Sequence, residues 1–276
     1  MTDLMAAAQA EIQRRALTER GRYYTPNGRA EEFINLLKQF TPNDPDIKIL
    51  ILRAGNGFGK SALSVNLAGY LAGRIPNPWF DCVPYLREFR RPNQGRIYTT
   101  TTAASTTYQV EAEKWLPRGE YTPRKEGHNF NWKFSFKNRS QFDFFLFGQD
   151  PREAESVSLD WSLIDEPPPY ALWGAIKTRM RVGGLIIFAL TPLEDAAWIQ
   201  MELEIPGRLG RDVFVLQAST EDACIEHGIR GHLHHESIEA QMREFDEDDL
   251  TARKGGAYLH LSGAVYKKFD ESIHVI

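Results

Sequence analysis

The sequence from residue 54 to residue 61 reads Ala-Gly-Asn-Gly-Phe-Gly-Lys-Ser, so three spaced glycines lead directly into an amine and a hydroxyl. Glycines allow several backbone N–H groups to converge on one anion. Lys60 is therefore predicted to contact the β- and γ-phosphates of a nucleotide, and Ser61 to ligate Mg²⁺. The residues predicted to bind the nucleotide here are Gly55, Asn56, Gly57, Phe58, Gly59, Lys60, Ser61 and Ala62.

The segments on either side of this loop supply the context that a phosphate-binding loop needs. Residues 47–52 are almost wholly apolar, which is typical of a buried strand in a parallel sheet. After the loop, Leu63, Leu67 and Leu71 recur at helical spacing. A helix that begins at the loop adds the positive end of its dipole to the anion site. The alternative, a glycine-rich turn with an ordinary surface lysine, does not explain this strand–loop–helix order.

A second chemical pair, Asp165-Glu166, directly follows the apolar residues 161–164. An acidic residue at the carboxyl end of a core strand is placed to hold Mg²⁺ opposite a phosphate-binding loop, which predicts that role for Asp165. The adjacent Glu166 is predicted to polarise the water that attacks the γ-phosphate. This pair favours an ATPase that performs work over a GTPase switch. A merely polar strand end is the simpler alternative.

Thr191 follows a third apolar segment, residues 184–190, and precedes a proline. A hydroxyl at that strand end is able to sense the γ-phosphate and to move with hydrolysis, so Thr191 is a candidate coupling residue. Because Thr-Pro also marks ordinary strand ends, the pattern alone leaves both interpretations open.

The rest of the pattern predicts the elements that position these groups. Further strands are predicted over residues 96–99 and 212–217, and helices over residues 2–20, 31–40, 100–116, 170–180 and 237–254. Aromatic residues at 130, 132, 134 and 136 alternate with polar ones, which predicts a β-hairpin whose aromatic face packs in the core. The alternation of strands and helices favours a doubly wound α/β fold.

Composition limits the classes of protein to consider. With 42% hydrophobic and 25% charged residues, the 276-residue chain is typical of a soluble globular protein. A formal net charge of −4 gives no overall signature of nucleic-acid binding and does not exclude it. Two cysteines, Cys82 and Cys224, are too few for a disulfide framework and fit a reducing compartment. No apolar run is long enough to span a membrane, so a cytosolic protein without membrane contact is expected.

Cys224 and the histidines at 227, 232, 234 and 235 lie close together in the sequence. A structural zinc site usually offers paired ligands at short regular spacing on both sides, which this stretch lacks. The pattern therefore favours a solvated loop over a zinc site.

Six motifs, in order along the chain, resemble those of the large terminase subunits that package DNA in tailed bacteriophages. Tyr-Thr-Pro-Asn at 24–27 with Glu-Glu-Phe at 31–33 resembles the family's adenine-side motif. AGNGFGKS at 54–61 resembles its Walker A loop, including the missing first glycine. Residues 136–142 resemble the hairpin before the acidic strand, and LIDEPPP at 163–169 resembles Walker B with the catalytic glutamate. FALTPLEDAAW at 188–198 resembles the coupling motif. Residues 252–255, 262–269 and 274–275 resemble the passage into the nuclease domain.

The resemblance implies a P-loop NTPase fold of the ASCE type: α/β, with a mostly parallel central sheet flanked by helices and a small C-terminal helical or linker subdomain. It implies Mg²⁺-dependent hydrolysis of ATP that drives double-stranded DNA into a procapsid. The implied partners are double-stranded DNA, a portal protein and a small terminase subunit. A monomer in isolation and a homo-oligomeric ring on the procapsid, in the host cytoplasm, are expected.

Two departures from the family pattern affect the base and the loop. The adenine-side motif usually carries a glutamine near Ala30, so base recognition is predicted to use Tyr23, Tyr24 and the backbone. Gly57 stands where many relatives have an arginine.

A third departure concerns the arginine that stabilises the transition state. Glu155-Ser156 replaces the Arg-Gly pair that often precedes the acidic strand. Arg152 and Arg179 are the nearest candidates for that catalytic arginine. Each is equally explicable as a surface or salt-bridge residue.

The resemblance also divides the chain into residues 1–45, a helical arm with the adenine-side motif; 46–220, the ATPase core; and 221–276, a lid or linker. Because the sequence ends at Ile276, it is expected to be the ATPase part alone, without nuclease activity.

Two other functions stay open at this point. One is a helicase-like or repair translocase, and the other is a nucleotide-dependent switch whose output is a partner interface.

Overall fold

A computed structural model describes residues 2–193, 196–245 and 247–258. Its centre is a sheet of eight strands in the order β3-β4-β5-β2-β6-β7-β1-β8. The strands are β1 (Ile47–Ala54), β2 (Gln94–Thr99), β3 (Tyr121–Arg124), β4 (Lys133–Phe136), β5 (Gln141–Leu146), β6 (Trp161–Asp165), β7 (Gly184–Leu190) and β8 (Val213–Ala218). Neighbours from β5 to β8 are parallel, whereas β3 and β4 pair antiparallel.

The strand order confirms the predicted ASCE arrangement. One strand, β7, lies between β1, which precedes the glycine loop, and β6, which ends at Asp165. Because these strands are parallel, their carboxyl ends meet at one edge of the sheet. In register, Asp165 pairs with Ala189 and Arg53 with Leu190, so the glycine loop, the acidic pair and Thr191 all follow strand ends at that edge. Open α/β sheets bind ligands at this edge.

Helices cover both faces of the sheet. They are α1 (Thr2–Thr18), α2 (Gly28–Leu36), α3 (Lys60–Gly73), α4 (Pro78–Asp81), α5 (Pro84–Glu88), α6 (Thr101–Ser105), α7 (Thr107–Trp115), α8 (Tyr170–Arg179), α9 (Ala197–Glu202), α10 (His235–Met242) and α11 (Glu247–Arg253). One face of the sheet presents Leu50 and Leu52 to α2, α3 and α7. The other presents Ile49 and Ile51 to α8 and α9. Successive residues of β1 thus face opposite cores, as a doubly wound fold requires.

Two helices predicted as continuous are interrupted. The predicted helix over residues 100–116 is divided into α6 and α7 at Thr106, whose hydroxyl donates to the carbonyl oxygen of Thr102 at 2.7 Å. Local side-chain hydrogen bonds of this kind compete with helical geometry. The predicted helix over residues 237–254 is divided into α10 and α11. Residues 247–249 are all acidic in the sequence, which favours the start of a new helix there.

The aromatic hairpin is confirmed as a core element. β4 and β5 pair antiparallel, and Phe134, Phe136, Phe142 and Phe144 are all buried. The rings of Phe134 and Phe142 stack with centroids 4.8 Å apart. These residues extend the core beneath the edge of the sheet.

The C-terminal end of α11 and the residues after it lie directly against the glycine loop. The Asn56 N–H donates to the carbonyl oxygen of Arg253 at 2.6 Å, and the Thr220 N–H donates to that of Lys254 at 2.8 Å. Gly256 then adopts a left-handed φ of 61°, and the predicted helix end at Gly255-Gly256 is confirmed within two residues. The loop and this C-terminal segment therefore form one hydrogen-bonded unit.

Tyr258 fixes the end of the described chain to β1. Its hydroxyl donates to Glu204 Oε1 at 2.6 Å, and the guanidinium of Arg53 lies 4.7 Å from its ring centroid. The predicted passage into a nuclease domain, residues 262–269 and 274–275, lies outside the described residues. None of the described helices combines the length and the apolar character needed to cross a membrane.

Candidate nucleotide-binding site

The glycine loop turns sharply between β1 and α3. Gly57 and Gly59 have φ values of 75° and 99°, a region that side chains with a Cβ rarely adopt. α3 begins at Lys60, immediately after the second of these glycines. The loop therefore wraps the N-terminal end of α3, where unpaired N–H groups and the helix dipole favour an anion.

Lys60 is folded back onto its own loop. Its Nζ donates to the carbonyl oxygens of Ala54 at 3.0 Å and Gly55 at 3.2 Å, and to the hydroxyl of Thr191 at 2.9 Å. Burial lowers the pKa of the Lys60 ammonium, and the nearby carboxylates of Glu166 and Asp165 oppose that shift. The cation is thus held where a phosphate would compete well for its hydrogen bonds.

Glu166 is held by the end of the neighbouring strand. The backbone N–H of Thr191 donates to Glu166 Oε2 at 2.8 Å, and the Thr191 hydroxyl lies 3.3 Å from Oε1. The backbone of Glu166 has a φ of 68°, an uncommon and costly conformation for a residue with a side chain. That sharp bend brings the carboxylate to the tip of β7 and into the cavity beside Lys60.

Asp165 and Ser61 offer the oxygen donors that Mg²⁺ prefers. Asp165 is 7% exposed, and its Oδ2 accepts a hydrogen bond from the Thr99 hydroxyl at 3.0 Å. Burial, followed by the charge of Glu166, raises the pKa of Asp165 to about 6. Two carboxylates crowded in this way, with a hydroxyl at the start of α3, fit a divalent cation, because such a cation would relieve their repulsion.

A cavity of about 680 Å³ opens beside the loop, within the usual size range of small-molecule sites. It is lined by loop residues 56–62, by Glu166, and by Tyr24 and Trp115 on the far side. Tyr24 packs edge-on against Trp115, with ring centroids 5.2 Å apart. Tyr23 is 46% exposed and does not line the cavity, and Gly55 does not line it either.

The other side of the cavity is formed by a stretch that we call the cover segment, residues 220–235. Arg230 and His232 of this segment line the cavity. A ring nitrogen of His232 lies 3.0 Å from the Gly57 carbonyl oxygen, and Arg230 donates to the carbonyl oxygen of Pro26 at 2.9 Å. The sequence favoured a solvated loop here. The segment instead packs on the glycine loop, although several of its side chains remain exposed.

Sequence reasoning missed Arg230 and His232, as well as Asn27 and Lys114, which also line the cavity. They come from three separate segments, around residues 27, 114 and 230–232, that only the fold brings together. Asn27 alone carried a signal. It precedes a helix as an N-cap residue does, and its side chain accepts from the Ala30 N–H at 2.8 Å.

The two candidate arginines lie apart from the cavity. Arg152 has an 87% exposed side chain and forms a 2.5 Å ion pair with Asp150. Arg179 is buried and donates to the carbonyl oxygen of Glu155. Its own carbonyl oxygen accepts from Leu159, just before the amino end of β6, so it lies at the edge of the sheet opposite Glu166. The structure does not bring either residue to the loop, and the catalytic arginine stays a prediction.

Solved structures of large terminases share this architecture. A large terminase from a thermophilic bacteriophage superimposes with a TM-score of 0.59 at 15% sequence identity, over 90% of this chain and 57% of that one. The chain has the fold of phage large terminases. The terminase of bacteriophage HK97 agrees, with a TM-score of 0.56 at 11% identity over 85% of this chain and 51% of its own.

The likeness confirms, at the level of the fold, the resemblance to large terminases that the motifs indicated. A second structure of the thermophilic phage terminase is a complex with ADP, with a TM-score of 0.58 at 16% identity, over 90% of this chain and 57% of that one. The chain spans just over half the length of these terminases. No family model matches the sequence, and no curated protein does either.

Proposed function

We propose that this chain binds and hydrolyses Mg²⁺·ATP, and that hydrolysis moves double-stranded DNA, as the ATPase part of a phage large terminase. The observation that carries the proposal is the linked set of Lys60, Thr191 and Glu166 at the ligand-binding edge of a terminase fold. The ADP complex of a protein with the same fold supports a nucleotide as the ligand.

Binding begins with an exchange of hydrogen bonds at Lys60. Its ammonium now contacts two carbonyl oxygens of the loop. A triphosphate seated on the N-terminal end of α3 offers charged oxygens instead, which form stronger hydrogen bonds than neutral carbonyls do. Tyr24 and Trp115 line the opposite side of the cavity, where they offer apolar surface to a base.

Ser61 and Asp165 would hold Mg²⁺, which when bound neutralises charge on the β- and γ-phosphates. Thr99 keeps Asp165 oriented by donating to its Oδ2, so this carboxylate would be held in place to ligate the cation. Glu166 is the base that orients and deprotonates the attacking water. The Thr191 N–H fixes one of its oxygens, which leaves the carboxylate able to accept from that water.

Thr191 supplies the coupling between the phosphate and the rest of the domain. Its hydroxyl accepts from Lys60 and lies within hydrogen-bond distance of Glu166. When Lys60 turns to the phosphate, Thr191 loses that donor and the tip of β7 is free to shift. The motion is passed to a DNA-gripping surface, and a portal protein and a small terminase subunit are the partners that such a motor needs.

Two variants test the division of roles. Lys60→Ala should abolish productive ATP binding, because the phosphates lose their cation. Glu166→Gln should keep ATP affinity while turnover falls by about 10²–10⁴, the usual range for a lost general base. Affinity for a fluorescent ATP analogue and steady-state phosphate release measure the two effects separately. Lys48→Ala and Glu153→Gln are matched controls, since both residues lie outside the cavity.

Equal loss of ATP affinity in the Lys60 and Glu166 variants would contradict these roles. Steady-state turnover by the wild type that Glu166→Gln loses would argue against the nucleotide switch. A forked DNA duplex distinguishes the translocase alternatives, because a packaging motor should hydrolyse ATP on it without separating the strands, whereas a helicase should separate them.

A further inference from the structure

Four side chains at the base of the cover segment converge on one point. A ligand atom from each of Glu221, Cys224, His227 and His235 lies within 4.8 Å of the other three. Glu221, Cys224 and His227 are spaced three residues apart in sequence, and His235 is brought to them from the start of α10. The fold thus assembles one thiol, two imidazoles and one carboxylate, a set that the sequence pattern did not favour as a site.

The distances within this cluster fit a small tetrahedral ion. Bonds of about 2.0–2.3 Å to a tetrahedral Zn²⁺ place its ligand atoms about 3.3–3.8 Å apart. Glu221 Oε2 lies 3.4 Å from His227 Nδ1 and 3.6 Å from His235 Nδ1. The other carboxylate oxygen, Oε1, is paired with Lys254 at 2.9 Å, so Oε2 is the one directed inward.

His235 is oriented as a metal ligand is. Its Nε2 lies 3.3 Å from Glu239 Oε1, one helical turn along α10. A carboxylate on the far ring nitrogen fixes the ring and raises the basicity of the near one. The near nitrogen, Nδ1, is buried and has no hydrogen-bond partner among the described residues. A buried nitrogen without a partner is costly, and a bound cation would satisfy it.

We propose that Glu221, Cys224, His227 and His235 bind one Zn²⁺ ion. Cys224 is fully buried, and its Sγ lies 3.0 Å from Glu226 Oε2. Binding replaces the thiol proton, which leaves to solvent, and the resulting thiolate and carboxylate neutralise the charge of the ion. Thiolate and imidazole ligands select Zn²⁺ over Mg²⁺ and Ca²⁺, which prefer oxygen.

The site would brace the cover segment over the nucleotide cavity. Cys224 forms a backbone bridge with Leu233. Gly231 also approaches the Cys224 carbonyl oxygen closely, because a Cβ at this position would lie 1.9 Å from that oxygen. A metal ion at Cys224 and His235 closes the loop that carries Arg230 and His232. Zinc binding does not depend on the proposed ATPase activity, so the two proposals are tested separately.

Titration of the metal-free full chain with Co²⁺, without nucleotide, tests the site directly. A thiolate-to-Co²⁺ band that saturates at one ion per chain, and that Zn²⁺ displaces, is expected. Cys224→Ser should abolish the band, and His235→Ala should weaken Co²⁺ binding at least tenfold. Glu239→Gln should weaken it about 10- to 100-fold, the usual effect of losing an outer partner of a ligating histidine.

Cys82→Ser and His234→Ala are the matched controls, because Cys82 is the exposed cysteine and His234 adjoins His235 in sequence. Both should titrate as the wild type does. Absence of a thiolate band in the folded wild-type chain would overturn the proposal, and that reading does not depend on whether any variant folds. A band that survives Cys224→Ser but disappears in Cys82→Ser would overturn it as well.

Discussion

The Thr191 hydroxyl lies between the Lys60 ammonium and the Glu166 carboxylate. At the residue scale, substitution of Thr191 therefore tests the proposed role of this hydroxyl. Thr191→Val keeps the shape and the backbone N–H that holds Glu166, but it removes the hydroxyl that lies 3.3 Å from Glu166 Oε1. A hydrogen bond to a charged group is worth about 1.5–3 kcal/mol, so turnover should fall about 10- to 100-fold at saturating ATP.

Thr191→Ser is the matched control, because it restores the hydroxyl and should recover most of the turnover. The measurement is kcat for phosphate release with ATP affinity recorded in parallel. Unchanged kcat in Thr191→Val would show that the hydroxyl is only a strand-end group, the simpler interpretation of the sequence.

The sequence was informative at this scale where chemistry is local. The predicted site residues come at or after strand ends that apolar runs predict, so their placement at one edge of the sheet could be predicted. These residues are Lys60, Ser61, Asp165, Glu166 and Thr191. The cluster at the base of the cover segment could not be predicted in this way. Its ligands are aligned by backbone contacts of residues 223–233, and no periodic pattern in the sequence encodes those contacts.

At the scale of elements, Asn27 joins α2 to the glycine loop. Its side-chain oxygen caps α2 at Ala30, and its Nδ2 donates to the Phe58 carbonyl oxygen at 3.1 Å. Asn27→Ser should keep the cap and lose the contact to the loop, whereas Asn27→Ala should lose both. The free energy of unfolding measured in urea should therefore be about 1 kcal/mol lower for the alanine variant than for the serine variant.

Both Asn27 variants should bind a fluorescent ATP analogue more weakly than the wild type, because both release the Phe58 carbonyl from its donor. Wild-type affinity in either variant would show that the loop holds its shape without α2. The serine variant thus separates helix capping from loop positioning.

Another inter-element contact, between β2 and β5, is a buried ion pair. Arg96 donates to Asp143 through two nitrogens, at 2.6 and 2.9 Å, and both residues are buried. Arg96→Met leaves Asp143 without its cation and should lower the free energy of unfolding by about 3–5 kcal/mol. The double variant Arg96→Met/Asp143→Leu should recover much of that loss in urea unfolding. Simple addition of the two single losses would contradict the ion-pair interpretation.

A strand or helix could be predicted from the sequence where its own residues strongly favour that structure. The apolar runs of β1, β6 and β7 admit few alternatives, and the alternating aromatics of β4 and β5 specify a hairpin. The break at Thr106 was not predictable, because it depends on a hydroxyl that competes with the backbone within an otherwise helical stretch. The role of Arg179 was equally hidden, since its partner is a carbonyl oxygen, which every residue has.

At the scale of the whole molecule, neither candidate catalytic arginine, Arg152 or Arg179, lies at the cavity, which predicts dependence on assembly. An arginine finger supplied by a neighbouring subunit is worth about 10³–10⁵ in rate. Arg152 has an exposed side chain on the segment that follows β5, so it is available to a neighbour. ATPase activity per subunit should therefore rise with protein concentration.

Mixing Arg152→Ala with Glu166→Gln should restore part of the turnover, because a mixed interface pairs an intact finger with an intact glutamate. Arg211→Ala, at another exposed arginine, serves as the control in the same mixture and should leave activity per subunit unchanged. Activity that is flat with concentration and a mixture that stays inactive would contradict a finger at Arg152. The same mixture with an Arg179 variant tests the other candidate.

The attachment of Tyr258 determines how the domain carries mechanical load. Tension applied to the chain at residue 258 is borne first by the contacts with Glu204 and Arg53, and so by β1. β1 is paired on both sides, with β7 and with β8, so force along it shears two ladders of hydrogen bonds at once. Shearing breaks many bonds together, whereas an edge strand would peel away one bond at a time. The molecule is therefore pulled through a strand that is paired on both sides and that ends in the glycine loop.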